Sequence, residues 1–314
     1  VTRGAPAPLH LALARAPDGG RAFWLQTTDG LRLRAALWQR AGARGTVVLF
    51  TGRTEYIEKY GPTIADLAQR GYDLLTLDWR GQGLSDRLLD DPLKGHVAAF
   101  ADYQHDVAAL WAALPGLNLR APLHLLAHSM GGAIGLRALH QGLAVRSAVF
   151  SAPMWGIRLP PGLTGATGLL AHSLAQAGFA LASAPGTGAA PYVYTTAFSA
   201  NALTHDPAAW AQLVAHLAAV PALAVGGPTL GWLDTALAEC RALAALPSPT
   251  LPCLTGLGAD ETIVCPTAIT ARMARWPGGH LARIEGARHE LMMERTAPRA
   301  RFLDAATALF DAQG

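Results

Sequence analysis

The sequence predicts a mainly parallel, doubly wound α/β sheet with a helical cap inserted into it. Three observations point there. Short continuous apolar runs alternate with helical spacings through the first half of the chain and resume near its end. Gly- and Asp-containing turns follow those runs, where open α/β sheets place their ligands. Between the halves, residues 159–233 carry a single charged residue, Asp206, in a chain that is 15% charged overall. An average stretch of that length would carry about eleven.

The elements follow in order. Residues 22–39 read as a hairpin turning at Asp29-Gly30, with alternating Leu31-Arg32-Leu33-Arg34-Ala35 on its second arm. Gly45-Thr46-Val47-Val48-Leu49-Phe50 is apolar throughout and reads as a buried strand ending in Thr51-Gly52-Arg53. Helical spacing over 64–70 stops at Gly71. A second buried strand, 73–78, runs into Trp79-Arg80-Gly81-Gln82-Gly83-Leu84-Ser85. A helix over 103–114 places Val107, Leu110, Trp111 and Leu114 on one face, and Pro115-Gly116 ends it. Strands are expected over 122–128 and 146–150 with a helix between them. After the uncharged region come a strand over 251–257, a helix over 267–276, a strand over 281–284 and a closing helix over 302–310.

The uncharged region contains helical stretches at 169–181 and 207–217, broken by Pro185-Gly186 and Gly226-Gly227-Pro228. Helices this poor in charge need somewhere to bury a face, and a lid over an apolar cleft supplies it. A buried subdomain is the alternative. The expected organisation is core over 1–153, cap over 154–235 and core again over 236–314.

Composition narrows the function. The chain has 314 residues, 51% of them hydrophobic, and 25 basic against 22 acidic residues give a net charge of +3. No basic cluster marks a nucleic-acid footprint. Cys240, Cys253 and Cys265 are too few and too scattered for a disulfide framework, and no Cys/His spacing suggests zinc. No secretory leader pattern opens the sequence. The longest apolar stretch, 169–184, is too short and too polar to span a membrane. A cytoplasmic protein is expected, with contact to a membrane surface through the cap left open. Nothing sets the oligomeric state.

The chemistry centres on Ala127-His128-Ser129-Met130-Gly131-Gly132, where a buried strand turns sharply into a helix. Such a turn exposes the Ser129 hydroxyl and aims the helix N-terminus at whatever Ser129 attacks. The residues two before and two after must be small, and Ala127 and Gly131 are. Taken alone, the pattern also fits an ordinary strand-to-helix turn. A serine hydroxyl becomes a useful nucleophile only with a base, and the base needs a carboxylate to fix its tautomer. In an α/β-hydrolase fold these follow in the order Ser, Asp/Glu, His, from loops after late strands. Asp260 and His289 occupy those places, each directly after a predicted strand. Glu261, beside Asp260, is the alternative acid. His280 lies at the other end of its strand, and His128 should point away from the serine. His96, His124, His172 and His216 read as structural or solvated. The oxyanion of a tetrahedral intermediate needs two N–H donors; Met130 and Arg53 are the candidates.

At these residues the chain resembles the monoacylglycerol lipase and lysophospholipase group of α/β-hydrolases, the serine-aminopeptidase-like hydrolases, over roughly residues 46–294. Asp78-Trp79-Arg80-Gly81-Gln82-Gly83-Leu84-Ser85 is similar to the group's Asp-x-Arg-Gly-x-Gly-x-Ser loop, and the Ser129 segment to its Gly-His-Ser-Met-Gly-Gly. Within the insertion, Asn201-Ala202-Leu203-Thr204-His205-Asp206 and Gly226-Gly227-Pro228-Thr229-Leu230-Gly231-Trp232-Leu233 resemble patterns of its cap. Asp260 and His289-Glu290 match its acid and base positions. The resemblance implies a serine ester hydrolase that needs neither cofactor nor metal. Two positions depart from the pattern. Ala127 replaces the first elbow glycine, and Thr51-Gly52-Arg53 stands where the group has His-Gly-x. The arginine brings a cation to the site, available to a substrate phosphate or carboxylate.

The expected substrate is a single-chain lipid ester, a lysophospholipid or a monoacylglycerol, because an uncharged lid suits an acyl chain. An acyltransferase using the same acyl-enzyme, an aminopeptidase-type amide hydrolase and a non-catalytic ligand-binding relative are the alternatives. An aminopeptidase would need carboxylates for its substrate ammonium; Asp206, Glu55 and Glu58 are the candidates.

Overall fold

The computed structural model of the chain describes residues 4–159 and 164–314. Nine strands form one sheet: β1 (Pro6–Ala7), β2 (Arg21–Gln26), β3 (Arg32–Trp38), β4 (Thr46–Phe50), β5 (Asp73–Leu77), β6 (Leu123–His128), β7 (Ser147–Ser151), β8 (Cys253–Gly258) and β9 (Gly279–Ile284). Their order is β1-β2-β3-β5-β4-β6-β7-β8-β9. Pairing is antiparallel from β1 to β5 and parallel from β5 to β9. The expected hairpin pairs Leu25 with Leu33.

Among the described residues the α-helices are α1 (Leu11–Ala14), α2 (Gly61–Gln69), α3 (Tyr103–Ala113), α4 (Met130–His140), α5 (Thr164–Leu174), α6 (Tyr192–Thr195), α7 (Pro207–Ala219), α8 (Leu230–Ala245), α9 (Pro266–Met273) and α10 (Thr296–Asp311). The central strands are mostly apolar and almost wholly buried because both faces are covered. The alternation of side chains divides each strand between two cores. On β4, Val48 and Phe50 join the core under α3, α4 and α8, while Val47 and Leu49 join the core under α2 and α10. Likewise, Leu125 and Leu126 of β6 point to opposite faces.

The insertion differs from its sequence reading in two places. A single helix was expected over 169–181. Instead α5 ends at Leu174 and continues as a π-type turn, Ala175–Phe179, in which Gly178 takes φ 93°. That left-handed backbone is open to glycine and breaks the helical run. The second difference is α8, whose buried face includes Leu230, Leu233, Ala236, Leu237, Cys240 and Leu243. This helix runs across the expected boundary at 235/236 and packs against both α4 and α5. Asp206, the lone charge of the uncharged region, accepts hydrogen bonds from the Ala208 and Ala209 amides and caps α7.

Candidate active site

Ser129 sits between β6 and α4 with φ 49° and ψ −118°, a conformation that L-residues rarely adopt. The surroundings hold it there. Its amide donates to Ser151 O (3.1 Å), and its carbonyl accepts from Gly132 and Met154, both at 2.8 Å. The turn works only with the glycines the sequence provides. A Cβ on Gly131 would lie 2.5 Å from the carbonyl oxygens of Phe50 and Thr51, and one on Gly132 would lie 2.5 Å from Pro153 Cβ. Ala127 is fully buried, so the departure from glycine two residues before the serine is accommodated.

His289 follows β9, and its Nε2 lies 2.9 Å from Ser129 Oγ. Its Nδ1 lies 2.7 Å from Glu261 Oε2. An ionised carboxylate only accepts, so Nδ1 carries the proton and Nε2 is left to accept from the serine. The expected acid, Asp260, is displaced by its neighbour. The Glu261 amide donates back to Gly258 O (3.3 Å), which places Ala259 and Asp260 at the centre of a tight turn. Asp260 therefore projects outward, its side chain 55% exposed, and its Oδ2 meets His205 Nε2 at 2.9 Å. Glu261 closes the turn beneath the imidazole, and its Oε1 accepts from the amides of Ile263 (2.5 Å) and Val264 (3.0 Å). Burial raises its carboxyl, but the His289 charge and these hydrogen bonds outweigh burial and hold it below the usual value.

The loop after β4 carries the second expected oxyanion donor. Neither the Arg53 nor the Met130 amide has a partner among the described residues. The loop is braced by Gln82, whose Oε1 accepts from the Thr54 amide (2.8 Å) and whose Nε2 donates to Gly52 O (3.0 Å). Asp78 holds the next turn by accepting from the Ile57 and Leu84 amides, each at 2.8 Å. Arg34, fully buried, donates to both Asp78 and Glu58 at 2.7 Å. The motif over 78–85 thus serves as a scaffold for the loop carrying the Arg53 amide. This use of Gln82 and Arg34 was not expected from sequence, because their partners are up to 44 residues away.

Behind the histidine lies a buried charged cluster. Lys59 Nζ stands 2.7 Å from Glu55 Oε1 and 2.6 Å from Glu290 Oε1, and Tyr60 donates to Glu55 Oε2. Burial raises both carboxyls; Lys59 and Tyr60 pull Glu55 below its usual value, whereas Glu290 stays above it. The ligand atoms of Glu55, His128 and Glu290 lie within 4.8 Å of one another, a spacing open to a metal ion. The Lys59 ammonium already supplies the positive charge between the two carboxylates. His128 turns away from Ser129: its Nδ1 lies 3.0 Å from Ser151 O, and burial pushes its pKa down to about 4. Three of the other histidines have structural partners: Thr229 for His96, Ser147 for His124 and Leu13 O for His216.

Ser129 and His289 open into a cavity of about 430 Å³, walled on the core side by Met154 and Val264 and on the insertion side by Ile157, Leu213, Leu217 and Trp232. Its size is that of a small-molecule site.

The family described as serine aminopeptidase, S33, matches residues 41–296. The chain is 36% identical over 311 residues to lysophospholipase L2 of Escherichia coli K12, covering 92% of this chain and 89% of that protein. Among solved structures, a soluble variant of monoglyceride lipase from Saccharomyces cerevisiae, in complex with a substrate analog, superposes with a TM-score of 0.71 at 21% identity. That match covers 92% of this chain and 95% of the other. The Paleococcus ferrophilus monoacylglycerol lipase gives 0.65 at 18% identity, covering 88% and 98%. The nine-stranded sheet and its flanking helices form an α/β-hydrolase fold.

Proposed function

The chain belongs to the serine aminopeptidase S33 family of α/β-hydrolases, and on that premise we propose that it hydrolyses single-chain lipid esters through an acyl-enzyme on Ser129. The observation that carries the proposal is the chain of hydrogen bonds from Glu261 through His289 to Ser129 Oγ at the floor of an apolar cavity. Ser129 Oγ attacks the ester carbonyl carbon as His289 Nε2 takes its proton. The carbonyl oxygen becomes an oxyanion, received by the amides of Met130 and Arg53. His289 then returns the proton to the leaving alcohol as the carbon–oxygen bond breaks. Water, deprotonated in turn by His289, releases the fatty acid. Glu261 fixes the imidazole and stabilises its positive charge throughout.

The insertion acts as the lid. Ile157, Leu213 and Leu217 wall the cavity with apolar side chains, while Leu169, Leu170, Phe179, Leu181 and Tyr194 are exposed. Exposed large apolar side chains without charge suit transient contact with a lipid surface. No helix among the described residues is long and apolar enough to cross a membrane. The three carboxylates expected to receive an aminopeptidase's substrate ammonium are already engaged by other groups. Glu58 is taken by Arg34, Glu55 by Lys59 and Tyr60, and Asp206 by the amides of α7.

A fluorophosphonate probe should label the wild-type protein and leave Ser129→Ala unlabelled. A panel of monoacylglycerols, lysophospholipids and amino-acyl amides should show turnover of the lipid esters, with released fatty acid as product even when glycerol is present. Preference for the amides, or labelling that survives Ser129→Ala, would refute the proposal.

A further inference from the structure

Arg53 has a side chain that the proposed hydrolysis does not use. Arg53 lines the same cavity as Ser129, and so does Trp232, on whose ring the Arg53 guanidinium lies. Nη1 donates to Gly226 O at 3.2 Å, and the guanidinium carbon lies 5.2 Å from the centre of the Trp232 ring. Nε and Nη2 have no partner among the described residues, and neither is among the polar atoms sealed from solvent. The guanidinium that carries these donors is placed at the cavity wall, beside Trp232. No carboxylate pairs with Arg53 among the described residues; the acidic groups nearest in sequence, Glu55 and Glu58, are matched by Lys59, Tyr60 and Arg34. Burial lowers the guanidinium pKa to about 10, so it remains charged at neutral pH.

A permanent cation with unmatched donors, set among apolar walls, is costly unless an anion completes it. A guanidinium presents parallel N–H groups that fit two oxygens of a phosphate. The location restricts where that anion can sit on the substrate. The backbone amide of Arg53 is proposed to receive the ester oxygen, so its side chain reaches the parts of the substrate just beyond the ester. The carboxyl carbon of the fatty acid is already committed to Ser129. The anion must belong to the leaving alcohol.

We propose that the Arg53 side chain receives the phosphate of a lysophospholipid head group and so selects phosphate-bearing single-chain esters over uncharged monoacylglycerols. This rests on the lipid-ester reading of the same site and adds the substrate class and its receptor. Arg53 acts on which alcohol is held, so its loss should appear chiefly in KM for the charged substrate. Gly226, whose carbonyl orients Nη1, and Trp232, whose face the guanidinium covers, position it.

The test compares kcat/KM for a lysophosphatidylethanolamine and a monoacylglycerol of the same acyl chain, both in neutral detergent micelles. Wild type, Arg53→Lys and Arg53→Met are measured. Wild type should favour the lysophospholipid, and Arg53→Met should reduce that preference at least tenfold, mainly through KM, with Arg53→Lys intermediate. In a second measurement, sn-glycerol 3-phosphate should compete with a short soluble ester on wild type, and glycerol should not. The inhibition should vanish in Arg53→Met. An unchanged preference in Arg53→Met, or equal effects of glycerol and its phosphate on wild type, would overturn the inference and leave ester hydrolysis standing. The second comparison holds even if Arg53→Met fails to fold. Wild type that cleaves the short ester but neither lipid would overturn the lipid-ester reading itself, and this inference with it.

Discussion

In the core, Arg34 lies buried between Glu58 and Asp78, Arg80 between Asp106 and Asp29, and Lys59 between Glu55 and Glu290. In the insertion, residues 159–233 carry Asp206 alone, and that residue caps a helix. The two regions meet over one cavity, and each solves a different problem there. In the proposed mechanism the core holds loops that carry a nucleophile, a base and two amide donors, and buried, hydrogen-bonded ion pairs fix such loops in one arrangement. In the same proposal the insertion surrounds an acyl chain, for which directional partners are unnecessary and unpaired charges are harmful. Arg53 is the exception at the junction, a core cation whose side chain enters the apolar space.

Breaking one of the core pairs should have the largest effect on stability. Arg34→Met leaves Glu58 and Asp78 buried without their common partner and should destabilise the fold by about 3–5 kcal/mol. Chemical denaturation of purified variants checks this. A loss below about 1 kcal/mol would mean that the pair is not structural.

Acid should sharpen the same contrast. Burial pushes the imidazoles of His124 and His128, both in the core, down to about 4. Between pH 6.5 and 4 these two imidazoles therefore bind protons in the unfolded chain that they refuse in the folded one, and their contribution to stability falls as pH falls through that window. The full shift corresponds to about 3 kcal/mol for each histidine. Thermal melts at pH 7 and pH 4.5 should show the loss, and His124→Asn should make it smaller. An unchanged pH dependence in that variant would remove His124 from the explanation.

The smallest stability effect belongs to the outer face of the insertion. Leu169→Ser, Leu170→Ser and Phe179→Ser change exposed side chains and should each cost less than about 1 kcal/mol. Together they should lower turnover of substrate in phospholipid vesicles severalfold more than turnover of a short soluble ester. Equal effects on both substrates would contradict contact with a lipid surface through this face.

Much of this organisation was legible in the sequence. Apolar runs located the parallel strands, since residues buried on both faces read the same from either side, and chain order singled out Ser129 and His289. What escaped depended on local turns or distant partners. The loop after β8 offers two adjacent carboxylates, and chain order cannot separate them. The hydrogen bond from the Glu261 amide to Gly258 O decides which one faces the imidazole. The partners of Glu58 and Glu55 also escaped: Arg34 comes from β3, separated in the sheet by β5 from the strand that Glu58 follows, and Glu290 lies 231 residues from the Lys59 it shares with Glu55. The course of α8 also escaped, because its first turn has the uncharged character of the insertion.

The assignment of the acid is the point at which the catalytic geometry is most exposed to test. On one soluble ester at pH 8, kcat is compared for Glu261→Gln and Asp260→Asn, with fluorophosphonate labelling rates alongside. Glu261→Gln leaves the imidazole in place but withdraws the carboxylate that fixes its tautomer, and kcat should fall about 10³- to 10⁴-fold. Asp260→Asn disturbs only the contact with His205 and should stay within about threefold of wild type. If Asp260→Asn were the crippling substitution and Glu261→Gln nearly silent, the chain of hydrogen bonds from Glu261 to Ser129 would not be the one that performs catalysis.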